Sequence, residues 1–219
     1  MIIAIDGPAA SGKSTSAKLL ADELSFLYLD TGGMYRCIAL SVLEDKIDIY
    51  NELSLEEFIK NFNLEFKAVD GRFDFIINGD SASTKIRTNT VSRKVSEISA
   101  ISAIRKYMVG MQRNFAENNN CVVEGRDIGT VVFPDAEIKF FIIASAQIRA
   151  KRRQLELQGI GETIALKDIL RDIKARDKYD SERSHSPLKK AFDAIEIDTT
   201  EMTVDEQVSY MIKNIKIKK

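Results

Sequence analysis

Five short apolar runs are spread along this chain, and most are followed by a stretch with helical period. Residues 1–6 (MIIAID) are apolar and β-branched and read as a buried strand. Ala17, Leu20, Ala21 and Leu24 then recur at helical spacing and predict a helix over 13–24. Residues 26–30 (FLYLD) predict a second strand, and 31–45 a turn on two glycines that becomes a helix. Further buried strands are expected at 121–124 (CVVE), 137–144 (EIKFFIIA) and 194–199 (AIEIDT), with helices at 146–158, 163–177 and 204–215. Ser54 with Glu57, and Thr203 with Glu206, read as capping boxes that open a helix over 54–62 and the terminal helix. Val95, Ile98, Ile101, Ile104, Met108, Met111 and Phe115 lie on one face of a single long helix over 92–118.

The period changes once. Residues 64–78 alternate apolar and polar around Asp70-Gly71, a hairpin signal, because a type I′ turn needs two positive φ angles. Short apolar strands alternating with helices otherwise predict a parallel sheet covered on both faces. The expected fold is therefore α/β: a central five-stranded parallel sheet flanked by helices, interrupted by a small antiparallel insertion.

Composition narrows the class. The 219 residues suit one domain; 44% are hydrophobic and 30% charged, which is ordinary for a globular protein. A formal net charge of −1 argues against a nonspecific nucleic-acid coat. Cys37 and Cys121 lie in no metal-ligand spacing and are expected as buried packing residues in a reduced, cytoplasmic setting. The first residues carry no basic region ahead of an apolar core, so no signal peptide is expected. No apolar run reaches the roughly 18 residues of a membrane span. Three prolines, at 8, 134 and 187, all fall in predicted loops, and His185 is expected in a loop before Pro187.

The strongest chemical signal is "GPAASGKS" at 7–14, which satisfies G-x-x-x-x-G-K-S/T between a strand and a helix. Gly7, Pro8, Ala9, Ala10, Ser11, Gly12, Lys13, Ser14 and Thr15 are thereby candidates for holding the phosphates of a nucleoside triphosphate. Glycines let several N–H groups turn toward one anion, and the helix N-terminus adds partial positive charge. Lys13 can reach the β- and γ-phosphates, and the Ser14 hydroxyl can ligate Mg²⁺. No N-K-x-D motif for guanine is present, and no strand ends in the consecutive acids of a motor ATPase; "CVVEGRD" is the nearest.

Arginines suggest what accepts the phosphate. Arg36, Arg87, Arg105, Arg126, Arg149, Arg152, Arg153, Arg176 and Arg183 lie near predicted strand ends or on helices. Transfer between two anionic nucleotides needs such guanidiniums, which grip phosphate bidentately and stay charged. Arg149, Arg152 and Arg153 are equally readable as surface residues. Arg176, Asp180 and Arg183, at i, i+4 and i+7, share a helix face and are equally readable as a surface ion-pair ladder.

The motifs "IDGPAASGKST", "LDTGGMYR", "KIRT", "EGRDIGTVVFPDA", "ASAQIRAKRR" and "IKARDKYDSERSHSPL" together resemble the bacterial cytidylate kinases, nucleoside monophosphate kinases of the P-loop class. The resemblance covers nearly the whole chain. It implies transfer of the γ-phosphate of ATP, with Mg²⁺, to CMP or dCMP. It implies a core (1–34, 111–152, 166–219), an acceptor lobe (35–110) carrying the β insertion, and a short lid (153–165). Thr31, Tyr35, Arg36 and Arg126 would line the acceptor pocket, the two arginines gripping the monophosphate. Ser96, Arg105 and Asp127 would read the cytosine edge, and Arg176 and Asp180 would hold the sugar. Arg183 would reach the phosphates, and Arg153 would close over ATP from the lid. Lys13, Arg126, Arg153 and Arg183 thus become the catalytic candidates. Two residues depart from the family pattern: Thr31 stands where serine is usual, and Glu124 where aspartate is common.

One implied pair conflicts with the predicted helix. Ser96 and Arg105 are nine residues apart, about 2.5 turns, and fall on opposite faces of a straight helix. Both roles together require a break near 99–103. No zinc-ligand cysteines occur in the lid, so no structural metal is expected. A monomer acting on small molecules, without nucleic acid or membrane, is the default. The competing readings are a P-loop kinase for UMP, AMP or shikimate, or a nucleotide-gated binding module.

Overall fold

The computed structural model describes residues 1–69 and 72–218. The chain begins with β1 (Ile2–Asp6), α1 (Lys13–Leu24), β2 (Leu27–Asp30), α2 (Thr31–Glu44) and α3 (Glu52–Asn61). Three short strands follow, β3 (Leu64–Val69), β4 (Arg72–Ile77) and β5 (Asp80–Ser81), then α4 (Asn89–Ile98) and α5 (Ser102–Ala116). The remainder is β6 (Cys121–Gly125), β7 (Ile138–Ile143), α6 (Ala146–Gly159), α7 (Leu166–Glu182), β8 (Ile195–Asp198) and α8 (Val204–Lys218). Two compact units result: Met1–Asp30 with Gln112–Lys219, and Thr31–Met111.

The first unit holds a five-stranded parallel sheet in the order β2-β6-β1-β7-β8, as the pattern of short apolar runs predicts. β1 is central, with Ile5 in register with Glu124 on one side and Phe140 on the other. Ile3, Ile5, Val122, Ile138, Phe140 and Ile142 form one core with Ala17 and Leu20 of α1 and Met211 and Ile215 of α8. Burying a side chain such as Phe140 contributes about 2 kcal/mol. A smaller cluster joins Ala150 and Leu157 of α6 to Ile169 and Ile173 of α7. The chain leaves β1 for β2 on one side and builds β7 and β8 on the other. In open sheets of this kind ligands bind where the order reverses, at the carboxyl ends of the strands.

The second unit carries the antiparallel sheet β3-β4-β5. Leu64 pairs with Ile77 and Phe66 with Phe75, whose rings lie 5.8 Å apart. The Asp70-Gly71 turn expected between these strands lies outside the described residues. Met34, Ile38, Phe58, Phe62, Ile86, Ile98, Ile104 and Met108 are buried in this unit.

Several elements differ from the sequence pattern. The long helix expected over 92–118 is two helices. The N–H of Ser99 still reaches back four residues to Val95, but those of Ala100 and Ile101 reach back only three, to Glu97 and Ile98. The Ser99 hydroxyl meanwhile donates to the Ser96 carbonyl at 3.1 Å. A serine that bonds its local backbone competes with the helix ladder, and here the ladder stops. α3 starts before Ser54 because Asn51 caps it, its side chain accepting from the Ser54 N–H at 3.1 Å. The Thr203–Glu206 capping box does form: Thr203 N–H donates to the Glu206 carboxylate at 2.8 Å, and Glu206 N–H to the Thr203 hydroxyl at 3.3 Å. α2 takes both its glycines into its first turn instead of turning on them. α7 runs five residues further than 177, which puts Asp180 inside it with Arg176 and leaves Arg183 at its C-cap. Both cysteines are buried, and neither forms a disulfide.

Where β1 ends, Gly7 has φ 151°, and a Cβ added there would fall 2.0 Å from the Ile142 carbonyl oxygen of β7. No side chain fits without moving the sheet. Gly7→Ala is therefore expected to cost at least about 3 kcal/mol. Urea denaturation checks this, and a variant as stable as the parent would contradict the close approach.

Candidate active site

The loop 7–12 joins the central strand to α1, so its geometry is set by elements that are themselves fixed in the core. Gly12 has φ 96° and Ala10 φ 57°, the left-handed region. Alanine occupies that region only where the surroundings compel it. Ser14 and Thr15 are exposed at the start of α1, while Lys13 is buried. Lys13 Nζ donates to the Pro8 carbonyl at 2.7 Å, across the mouth of the loop. Burial, then the nearby Arg126, pushes the Lys13 ammonium below its usual range, while Glu124 and Asp6 oppose the shift. The Ser11 hydroxyl is buried with no hydrogen-bond partner. A buried hydroxyl and a buried cation beside a helix N-terminus fit a bound phosphate chain.

The β6 side supplies carboxylates and arginines. Glu124 accepts from the Tyr28 hydroxyl at 2.7 Å and is also hydrogen-bonded by Ser14. Burial and the adjacent Asp30 push its carboxyl up, against Lys13, Ser14 and Tyr28. The Ser14 hydroxyl, exposed and held by a carboxylate, has the chemistry of a Mg²⁺ ligand. No cluster of three or more His, Cys, Asp or Glu suited to a metal occurs among the described residues. An ion here would thus take most of its ligands from phosphate and water, as Mg²⁺ does.

Beyond Gly125 the chain enters a π-helical turn, Ile128–Val132, which the sequence pattern did not indicate. Asp6, the last residue of β1, anchors it: its two carboxylate oxygens accept the N–H groups of Ile128 at 2.8 Å and Gly129 at 2.7 Å. Burial pushes the Asp6 carboxyl up to about 6, against those two bonds. This carboxylate couples the start of the phosphate loop to the segment that carries Arg126 and Asp127.

Arg126, Arg176, Asp180, Arg183 and Asp127 come together in this unit. Asp180, buried, takes Arg126 Nε at 3.0 Å and has Arg176 Nε at 3.7 Å. Burial pushes its carboxyl up, but Arg126, Arg176 and Arg183 outweigh this and hold it below the usual carboxylate range. Arg183 donates to the Ser186 carbonyl at 2.6 Å and stands 3.9 Å from Asp127. The reading of 176, 180 and 183 as a surface ladder is overturned, because Asp180 is buried and reaches across to Arg126. Arg153, on α6, pairs with Glu156 at 3.1 Å, one turn along. His185 is exposed in a loop.

The second unit holds the other candidates. Thr31, Tyr35 and Arg36 occupy the first turns of α2, with Thr31 and Tyr35 buried. The Arg105 guanidinium lies 5.7 Å from the centre of the Tyr35 ring and donates to the Ser99 carbonyl at 3.1 Å. Ser99, whose hydroxyl holds the Ser96 carbonyl, therefore joins the neighbourhoods of Ser96 and Arg105 through the helix break. That break lies where a shared role for the two residues requires it.

Sequence reasoning read Arg149 and Arg152 only as phosphate-gripping or surface arginines and assigned no role to Asp6, Asp177, Thr199 or Gln207; all six hold the phosphate loop or its neighbours. Arg149 donates to the Ala9 carbonyl at 3.2 Å and pairs with Asp177 at 2.6 Å. Gln207 of α8 accepts from the Ser16 hydroxyl at 2.7 Å. The one available signal was position, at or just past the carboxyl end of a strand, for Asp6 and Thr199.

Comparison with known proteins decides the family. The cytidylate kinase family model matches residues 3–217. The chain belongs to the cytidylate kinase family. A cytidylate kinase of Lactobacillus gasseri is 47% identical over 209 residues, covering 95% of this chain and 91% of that protein. One from Bacillus cereus strain B4264 is 48% identical over 206 residues, covering 94% and 92%. A solved structure of an uncharacterized protein from Eubacterium ventriosum shares the fold, with TM-score 0.52 at 17% identity and coverage of 99% and 98%. Cytidylate kinase membership and the phosphate loop agree on a nucleotide-phosphorylating enzyme that uses ATP.

Between its ordinary value of 3.8 and about 6, the folded protein holds a proton on Asp6 that the unfolded chain releases. Through this group, stability falls as pH rises from about 4 to about 6 and is level above, a change of about 3 kcal/mol. Asp6→Asn is expected to remove that slope. Urea denaturation at pH 4.5 and 7 compares the two proteins; equal pH dependence in both would contradict the assignment.

Proposed function

We propose that this chain transfers the γ-phosphoryl group of ATP to CMP or dCMP, giving ADP and CDP or dCDP. The observation that carries this is the cluster of Arg126, Arg176 and Arg183 around Asp180, in the same unit as the phosphate loop. Such an array suits a second polyanion. A monophosphate oxygen is already an anion, so it attacks the γ-phosphorus without a general base. Its new P–O bond forms as the bond to the β-phosphate bridging oxygen breaks, and ADP leaves. Lys13, Arg126, Arg183 and Arg153 offset the charge that spreads over the transferring group. Mg²⁺, when bound through Ser14 and the phosphates, would add charge neutralisation.

Arg36 and Arg126 grip the monophosphate in this reading, with Thr31 and Tyr35 lining the pocket. Arg176 and Asp180 hold the sugar. Cytosine presents an N4 donor with N3 and O2 acceptors; Asp127 can accept from the first, and Arg105 with Ser96 can donate to the others. Residues 35–110 form the acceptor lobe and 153–165 the lid, and their closure would exclude water. The enzyme acts as a monomer in the cytoplasm, a reduced setting that suits two buried cysteines outside any disulfide. Among the described residues no helix is long and apolar enough to cross a membrane.

ADP formation measured with CMP, dCMP, UMP and AMP tests the proposal. UMP is expected to show kcat/KM roughly 100-fold below CMP, because its O4 meets the Asp127 carboxylate. Asp127→Asn is expected to narrow that gap. ADP released at one rate regardless of acceptor, or equal rates on CMP and UMP, would overturn it.

A further inference from the structure

A loop that turns its N–H groups toward phosphate must turn the carbonyls of the same peptides away from it. In a planar trans peptide the C=O of one residue and the N–H of the next point in opposite directions. No cis peptide occurs among the described residues. Whatever holds the Ser11 carbonyl therefore aims the Gly12 N–H, and whatever holds the Ala9 carbonyl aims the Ala10 N–H. In this protein those carbonyls are held from outside by side chains distant in sequence.

The Ser11 carbonyl is held twice. The Thr199 hydroxyl lies 2.8 Å from it, and Arg152 Nη1 lies 3.1 Å from it. The same Arg152 nitrogen donates to the Thr199 hydroxyl at 3.1 Å, and its second arm donates to the Thr199 carbonyl at 2.7 Å. A hydroxyl has one proton to give. With Arg152 occupying a lone pair, that proton goes to the nearer acceptor, Ser11, rather than to the Ile143 carbonyl at 3.1 Å. Thr199 is fully buried just past the end of β8, so its position is set by the sheet. Arg149 holds the Ala9 carbonyl in the same manner from one turn earlier on α6.

We propose that Thr199 and Arg152 are positioning residues that clamp the Ser11 carbonyl and so orient the Ser11–Gly12 peptide for the phosphates of ATP. The left-handed backbone at Ala10 and Gly12 supports this. A conformation that alanine disfavours persists only when neighbouring contacts over-determine it. The proposal rests on the reading of this loop as the ATP site, but not on the identity of the acceptor.

Thr199→Val removes the hydroxyl and keeps the shape, and Thr199→Ser restores the hydroxyl. ATP affinity is measured by calorimetry without acceptor, and KM for ATP and CMP by steady-state kinetics. Loss of one oriented hydrogen bond corresponds to about tenfold. Thr199→Val is expected to weaken ATP binding about tenfold and raise KM for ATP, with KM for CMP unchanged. Thr199→Ser is expected to stay within about twofold of the parent. Parental ATP affinity in Thr199→Val, equal losses in Val and Ser, or equal rises in both KM values would overturn the clamp. If Thr199→Val does not fold, Arg152→Lys, which loses the forked contact, is held to the same criteria. Parent protein that binds ATP but ignores CMP would instead contradict the acceptor assignment and leave the clamp's readout intact.

Discussion

Burying Lys13 close to Arg126, with Arg176 and Arg183 nearby, is the constraint around which the first unit is organised. Like charges taken out of water repel strongly and lose hydration. The chain meets this by interleaving carboxylates: Glu124 and Asp6 beside Lys13, and Asp180 between Arg126 and Arg176. The opposing shifts record the tension. Lys13, Glu124 and Asp6 are each pushed toward neutrality by burial, whereas Asp180 is held ionised by three guanidiniums. Incoming phosphates would complete this balance, which is why an array that is costly in isolation suits a site for two anionic substrates.

Backbone polarity poses the matching problem for the phosphate loop. Its strand, β1, is central, so the loop's position is fixed by pairing on both sides. Its orientation is fixed peptide by peptide, through Lys13 on Pro8, Arg149 on Ala9, and Thr199 with Arg152 on Ser11. Asp6 carries the same rigidity to the Ile128–Val132 turn and thereby to Arg126. In the second unit, Ser99 plays a comparable local part by ending α4 and receiving Arg105.

Local signals were legible in the sequence. The five strands, the phosphate motif and the Thr203–Glu206 cap are written in adjacent residues. The helix break at 99–101 was legible only indirectly, because Ser96 and Arg105 could not share a role on a straight helix. Asn51 escaped notice because an asparagine and a serine three residues later are both good caps, and only the geometry chooses. The loop's outer supports were illegible for a different reason. Thr199 meets Ser11 across 188 residues, and Gln207 meets Ser16 across 191. The groups that Thr199, Arg149 and Arg152 hold in the loop are carbonyls, which leave no mark on residue type.

The claim that buried cations in this unit await phosphate is tested most directly by thermal unfolding with matched ligands. CMP and ATP at about 100 times their dissociation constants should each raise Tm by about 5 °C or more, while cytidine and adenosine at the same concentrations should leave it nearly unchanged. Nucleosides that stabilise the protein as much as their phosphates would show that the bases, rather than the phosphates, satisfy the site, and would contradict the account.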